Sequence, residues 1–340
     1  MNFDFTEDQH EIKKTARELL GSRSSLAKVR AAAEAKSYDD GLWKELVELG
    51  WPGIAIAEEH GGQGLGAVEL AILSEELGYA VAASPFLATV AAAEAIGVAG
   101  TPEQQARWLP LLASGEATGT LGSVDGLVPD ADAAAVIVLI GEDGVARVLS
   151  RAEADVTPVD SIDPTRRAAR VYAPPTNGEP LGGDSAAAVD RATVVVAAEL
   201  VGVAQRALEM TLAYVKDRKQ FDTPVGAYQA VSHKCAQMLK DTEGARSATY
   251  FAAWAADAGV GGADFLAEAS SLAKAAASDG GRDVTASAIQ AHGGIGFTWE
   301  ADVHWLYKRA QVDAAWLGGS GVHRARLARL LAARLQPAAA

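Results

Sequence analysis

The chain has 340 residues, with 44 acidic against 30 basic side chains for a formal net charge of −14, and 49% of it is apolar. That length allows two or three domains around a large core, and the acidic balance argues against nucleic acid or an anionic membrane surface as partner. A single cysteine, Cys235, excludes a disulfide framework and fits a reducing cytoplasm; on the apolar face of a predicted helix it reads as an inert core thiol.

The first residues, MNFDFTEDQHEIKK, are acidic and amphipathic and carry no apolar run of the signal-peptide kind. No stretch of about 18 uninterrupted apolar residues occurs, so no membrane-crossing helix is expected. Thr6 can cap a first helix with Gln9 closing a capping box, and Ile12, Ala16, Leu19 and Leu20 give it an apolar stripe. A second helix is predicted over Gly41–Leu49. Glycines 61, 62, 64 and 66 then form a loop, and a helix follows from about Ala67. A glycine loop before a helix can cradle phosphate, yet this one lacks a preceding strand, the GxGxxG spacing and a lysine, so a structural role is preferred. Thr101-Pro102 opens another helix. This makes residues 1–114 an N-terminal helical domain.

From about Gly115 the pattern changes. Ala135–Ile140 is a short apolar run, Val145–Leu149 and Arg170–Tyr172 read as further strands, and Asp143-Gly144 signals a hairpin. Residues 115–183 therefore form a small β domain. Helices return over 184–215, 225–258, 263–292 and 299–316, and Ser320 caps a basic final one. Residues 184–336 are expected to be a bundle and 337–340 a frayed tail. The fold class is mainly α: a helical N-terminal domain, a reduced β domain and a C-terminal antiparallel four-helix bundle.

Two stretches of the bundle carry chemistry. In RKQFDTPVGAYQAVSHK (218–234), Arg218 and Lys219 are expected in the last turn of one long helix, where the helix dipole favours cations. Asp222-Thr223-Pro224 then break the chain before a second helix, which carries Val231, Cys235, Met238 and Leu239 on one face. Arg218 suits a phosphate through its planar fork, and a plain C-cap with a cation on the dipole is the alternative. In QAHGGIGF (290–297), Gly293 and Gly294 allow close backbone approach to a ligand and positive φ, or serve as a helix C-cap. His233, His292, His304 and His323 lack metal-ligand spacing and read as isolated surface or helix-end residues. Arg324, Arg326, Arg329 and Arg334 form a basic face, expected to be solvated or to pair with acidic residues of another subunit.

These stretches resemble the acyl-CoA dehydrogenase family, whose RxxF…Q elbow and QxxGGxGF turn they match, with Asp222 where the family usually has glycine. Residues 50–78 resemble its N-terminal helical domain, so the likeness covers nearly the whole chain. The resemblance implies an FAD pyrophosphate held by Arg218, Phe221, Gln229, Gln290, Gly293 and Gly294, on a flavin seated mainly in a neighbouring subunit. It also implies α,β-desaturation of an acyl-CoA thioester, with a carboxylate as base. The family's usual glutamate position holds Leu317, and the alternative position, counted back from Gly202-Val203-Ala204-Gln205, holds Ala192. Glu199, two turns further on, is a candidate for a displaced base, though pairing with a cation is the preferred reading; Glu300 and Asp313 are more remote. The family's T-E-P strand and tryptophan-bearing strand have no match, and after Gly119-Thr120-Leu121-Gly122 the β domain is expected to lack its first strands. The implied role is a non-catalytic subunit that shares FAD with a homologous partner, as in heteromeric actinobacterial-type enzymes acting on bulky acyl-CoA thioesters such as steroid side chains. The partner would supply substrate and electron-acceptor contacts. A self-sufficient homo-oligomer and a flavin-free scaffold are the alternatives.

Overall fold

The computed structural model describes residues 4–174, 176–259 and 262–335; the predicted tail at 337–340 lies outside them. Six helices come first: α1 (Glu7–Arg23), α2 (Leu26–Ala35), α3 (Asp40–Glu48), α4 (Ala67–Tyr79), α5 (Phe86–Ala99) and α6 (Pro102–Ala113). Thr6 closes the expected capping box, its hydroxyl accepting from the Gln9 amide at 3.2 Å while Gln9 Oε1 accepts from the Thr6 amide at 3.0 Å. Thr101 and Gln104 repeat the device on α6. Helix α5, FLATVAAAEAIGVA, is apolar on every side and buried along most of its length, so it shows no helical stripe to read in the sequence. The glycine loop has the preferred structural role. The Asp257 carboxylate, from the far end of the chain, accepts from the amides of Ala67 and Val68 at 2.7 and 3.1 Å and occupies the α4 N-terminus that an anion would need.

The β domain has two small sheets. One has the order β1-β3-β4-β7, built from β1 (Gly119–Ser123), β3 (Val136–Ile140), β4 (Ala146–Ser150) and β7 (Glu179–Pro180). The other has the order β2-β6-β5, from β2 (Val128–Pro129), β6 (Ala168–Tyr172) and β5 (Asp155–Val159). Strands β3 and β4 form the predicted hairpin around Gly144, whose φ of 75° suits the turn. The expectation that the first strands are lost is corrected at 119–123. That stretch is β1, paired in parallel with β3 and covered by α5, and its near-continuous burial removes the alternation that marks a half-exposed strand.

The C-terminal part is α7 (Ser185–Asp217), a two-residue-strand hairpin β8 (Lys219–Gln220) and β9 (Thr223–Pro224), α8 (Gln229–Ala258), α9 (Gly262–His292), α10 (Val303–Ala315) and α11 (Ser320–Leu335). Helix α7, about 50 Å long, is the spine: α4, α5, α8 and α9 all pack on it. At its crossing with α4 the backbones touch. A Cβ on Gly202 would lie 1.8 Å from the Glu75 carbonyl, and one on Gly78 2.2 Å from that of Glu199.

Several expectations change here. Leu239 points outward, 50% exposed, while Cys235 and Met238 are buried as read. His292, His304 and His323 are buried, not surface residues; His292 stacks on Tyr214 and is the helix-end residue expected, closing α9, and His304 lies against Trp305. The α11 arginines pair within the chain: Arg324 with Asp279, Arg326 with Asp190 and Arg334 with Glu268. Acidic residues on α7 and α9 lie within reach of α11, so no second subunit is needed to neutralise these three.

Candidate functional site

Helix α7 stops at Asp217, one residue short of the prediction that put Arg218 in its last turn. Arg218 is extended (φ −69°, ψ 124°), and its amide still donates to the Tyr214 carbonyl at 2.9 Å. The reason is the hairpin that follows. Lys219 pairs with Pro224 and Gln220 with Thr223, leaving a two-residue turn of Phe221 (φ 52°) and Asp222 (φ 60°). Both central residues are left-handed, the type I′ pattern that usually takes Asn-Gly. Each non-glycine residue there costs roughly 1–2 kcal/mol of backbone strain. The consequence is a phenylalanine thrust into solvent, 90% exposed. Gln229 starts α8 beside this elbow and is exposed.

Helix α9 ends at the second motif. His292 donates its Nδ1 hydrogen to the Ala288 carbonyl at 2.7 Å and stacks on Tyr214, with ring centres 4.4 Å apart at 21°. Tyr214 lies one turn before Arg218, and His292 immediately precedes Gly293. The stack therefore brings the two motifs to one end of the bundle. Gly293 has φ 66°, and a Cβ on Gly293 or Gly294 would meet nothing within 4 Å, so the backbone here is open to a close approach. Gln290 is exposed one turn back. Among the described residues the Arg218 guanidinium and the Gln290 amide have no side-chain partner, whereas most arginines of the chain are paired. A free Arg fork beside exposed glycine backbone is chemically suited to a phosphate or pyrophosphate.

Both positions that the resemblance assigns to the family's base have apolar surroundings. Ala192 is fully buried in the main core cluster, and Leu317, left-handed at φ 56°, packs against the same cluster. Neighbouring Trp316 is buried, its indole N–H donating to the Leu121 carbonyl of β1 at 3.0 Å. The turn is pinned by buried Lys274, whose Nζ lies 3.0–3.1 Å from the carbonyls of Asp313, Ala314 and Gly318 and from Ser278 Oγ. Burial pushes this amine down to about 7, against the opposing pull of the Asp313 charge.

Glu199 lies in a buried ionic cluster where the β domain meets the bundle. Arg166 Nη2 donates to both its oxygens at 2.7 and 2.9 Å, and Arg309 Nη1 donates at 2.6 Å. Arg309, fully buried, also holds Asp163 at 2.6 Å and the Thr165 hydroxyl at 2.7 Å. Burial works against the Asp163 carboxylate, but Arg309 and Thr165 outweigh it and hold its pKa below the usual range. Asp313 lies 3.3 Å from Arg166 without a hydrogen bond to either oxygen, and burial pushes it up to about 7. Sequence reading missed Arg166, Arg309, Asp163 and Lys274. Only the i, i+4 spacing of Arg309 and Asp313 on α10 was there to be seen. Glu300 is exposed, whereas Asp313, expected to be more remote, belongs to the same ionic cluster as Glu199.

The chain matches the family model for the acyl-CoA dehydrogenase N-terminal domain over residues 6–116 and that for the C-terminal domain over 185–332. It is 36% identical over 313 residues to the acyl-CoA dehydrogenase IpdE2 of Mycobacterium tuberculosis, covering 92% of this chain and 93% of that protein. This chain belongs to the acyl-CoA dehydrogenase family. IpdE2 of Mycolicibacterium smegmatis is 35% identical over 92% of this chain and 95% of that protein. Among solved structures, the Tcur3481–Tcur3483 steroid acyl-CoA dehydrogenase (G363A variant) matches with TM-score 0.88 at 29% identity, covering 96% of this chain and 98% of that one. The ChsE4–ChsE5 complex of M. tuberculosis shares the fold with TM-score 0.87 at 24% identity, over 99% and 100% of the two chains. As an acyl-CoA dehydrogenase this protein is an oxidoreductase of an FAD-dependent family. Its residues fit one part of FAD, the pyrophosphate, at the bundle tip. At the reacting end they offer no base, since Leu317 and Ala192 carry hydrocarbon side chains. No helix among the described residues is long and apolar enough to cross a membrane.

Proposed function

We propose that this chain is the non-catalytic subunit of a heteromeric acyl-CoA dehydrogenase, contributing Arg218, Phe221, Gln229, Gln290 and the Gly293-Gly294 backbone to FAD shared with a homologous catalytic subunit. FAD, when bound, accepts the hydride removed from the acyl-CoA β-carbon. This chain's part is to bind and orient the pyrophosphate. Arg218 supplies a charged fork, Gln290 an amide, and the glycine turn exposed backbone. The observation that carries the reading is the contrast between the two ends of the site: an unpaired arginine and open glycines at one, and a partly buried leucine and a buried alanine, both hydrocarbon, at the other. A proton cannot be taken by either hydrocarbon.

The self-sufficient reading needs Glu199 as a displaced base. That carboxylate accepts three charged hydrogen bonds from Arg166 and Arg309, which favour its ionised form but leave it committed to structure. A flavin-free scaffold would have no use for an unpaired Arg218 and a strained, exposed Phe221. The description of Tcur3481–Tcur3483 as a steroid dehydrogenase supports a bulky acyl-CoA as substrate of the assembled enzyme. The test is flavin stoichiometry. This chain purified alone should hold no FAD and turn over no acyl-CoA. Co-expressed with the dehydrogenase of its own genome that it pairs with, it should yield one FAD per pair of unlike chains by native mass spectrometry. One FAD per copy of this chain alone would overturn the proposal.

A further inference from the structure

Among the described residues, Tyr214 and His292 are the one aromatic pair that joins α7 to α9. Elsewhere the two helices share a core cluster rich in alanine, with Ala197, Ala204 and Ala207 from α7 and Ala273, Ala277 and Ala288 from α9. The stack comes where both helices end, and each of its rings is tied to one of the two cofactor motifs. On the α7 side the tie is backbone. The Tyr214 carbonyl accepts from the Arg218 amide at 2.9 Å, and the Arg218 carbonyl accepts from the Val225 amide at 2.8 Å, so the peptide groups on both sides of Arg218 are fixed. On the α9 side His292 is 8% exposed and gripped from several directions. Its Nδ1 hydrogen goes to the Ala288 carbonyl and its face to Tyr214. The turn that follows folds back onto it: a Cβ on Gly296 would lie 2.9 Å from the His292 Cβ and 2.6 Å from the Ile289 carbonyl. Burial holds this imidazole below its ordinary value of 6.5, so it is neutral at pH 7, and the Nδ1 bond fixes its tautomer.

We propose that Tyr214 and His292 are positioning residues for FAD: their stack fixes the Arg218 backbone and the Gly293-Gly294 turn relative to each other before the cofactor binds. This rests on the pyrophosphate role proposed above for Arg218 and the glycine turn, and adds the residues that hold those groups in register. The pyrophosphate is met by two elements far apart in the chain, and without a link each would have to be ordered against the other on binding. Gly293, in left-handed backbone at φ 66°, and Gly294 carry no side chain to hold their own place. His292, next to them in the chain, supplies the fixed point, and the Tyr214 ring joins that point to the last turn of α7. Both residues act through Arg218 and the glycine backbone.

The test is a double-variant cycle on the assembled enzyme, with FAD affinity read by equilibrium dialysis. Tyr214→Leu should weaken FAD about tenfold, while Tyr214→Phe, which keeps the ring, should stay within about twofold of wild type. Because Tyr214 acts through Arg218, adding Tyr214→Leu to Arg218→Ala should cost no more than about threefold further. The chain alone gives a second readout. With carbon-13-labelled histidine, the ring-current shift on the His292 resonances should persist in Tyr214→Phe and vanish in Tyr214→Leu. Where Tyr214→Leu fails to fold, His292→Leu breaks the stack from the other side and should bring the same tenfold loss. Two results overturn the positioning role and spare the pyrophosphate site: a double variant whose losses simply multiply, or a folded Leu variant that keeps FAD affinity within about twofold. Wild-type FAD affinity in Arg218→Ala removes the pyrophosphate site, and the positioning role with it.

Discussion

Arg218→Ala separates a cofactor residue from a helix cap. In the folded chain the Arg218 side chain is exposed and has no partner among the described residues, and the bond that ends α7 is made by its backbone amide to Tyr214 at 2.9 Å. Alanine keeps that amide, so the isolated chain should lose no more than about 0.5 kcal/mol, the usual range for a surface site. In the assembled enzyme the same change removes a charged contact to the FAD pyrophosphate, worth about 1.5–3 kcal/mol. At about 1.4 kcal/mol per factor of ten, FAD affinity should fall about 10- to 150-fold. The assay is equilibrium dialysis of the complex against FAD, followed by flavin fluorescence, with a denaturant titration of the chain alone in parallel. An equal loss of stability in the isolated chain, or unchanged FAD affinity in the complex, refutes the reasoning and makes Arg218 a structural cation.

Leu317→Glu should not create activity in this chain alone, since the family's T-E-P and tryptophan-bearing strands have no match in it; turnover of any acyl-CoA with an artificial electron acceptor would contradict this. Gly202→Ala would set a Cβ 1.8 Å from the Glu75 carbonyl and should cost about 1–3 kcal/mol or more, whereas Gly244→Ala, with open space around it in mid-helix, should be neutral or gain up to about 1 kcal/mol; denaturant titrations compare the pair. Burial pushes both Asp130 and Asp313 up to about 7, against an ordinary value near 3.8. Between those values the folded chain holds protons that the unfolded chain has released, so this stabilisation is full below about pH 4 and is lost as pH rises through about 7. Asp313→Asn mimics the protonated acid, and melts at pH 5.5 and pH 8 should lie closer together for it than for wild type.

The sequence by itself determined the helical architecture, the capping box at Thr6, the helix start at Thr101-Pro102, the β3–β4 hairpin and the family. All of these are local: a cap, a turn or a stripe is written within a few adjacent residues, and the RxxF and QxxGG motifs are short runs. It also showed that Leu317 and Ala192 hold no base. What only the tertiary structure decided depends on residues far apart in the chain. Helix α5 and strand β1 have no stripe or alternation because both are covered on nearly all sides. The turn at Phe221 is set by pairing across a hairpin, which moved Arg218 out of the helix and into extended backbone. Glu199 reads as an isolated acid on α7 until the fold brings Arg166, 33 residues away, and Arg309, 110 away, onto its two oxygens. Lys274 looks like an ordinary helical lysine, yet it lies beneath a turn 40 to 44 residues on, capping the carbonyls of Ala314 and Gly318. Buried charge is costly unless a partner arrives, and whether one does is a property of packing across the whole chain, beyond the reach of any local pattern.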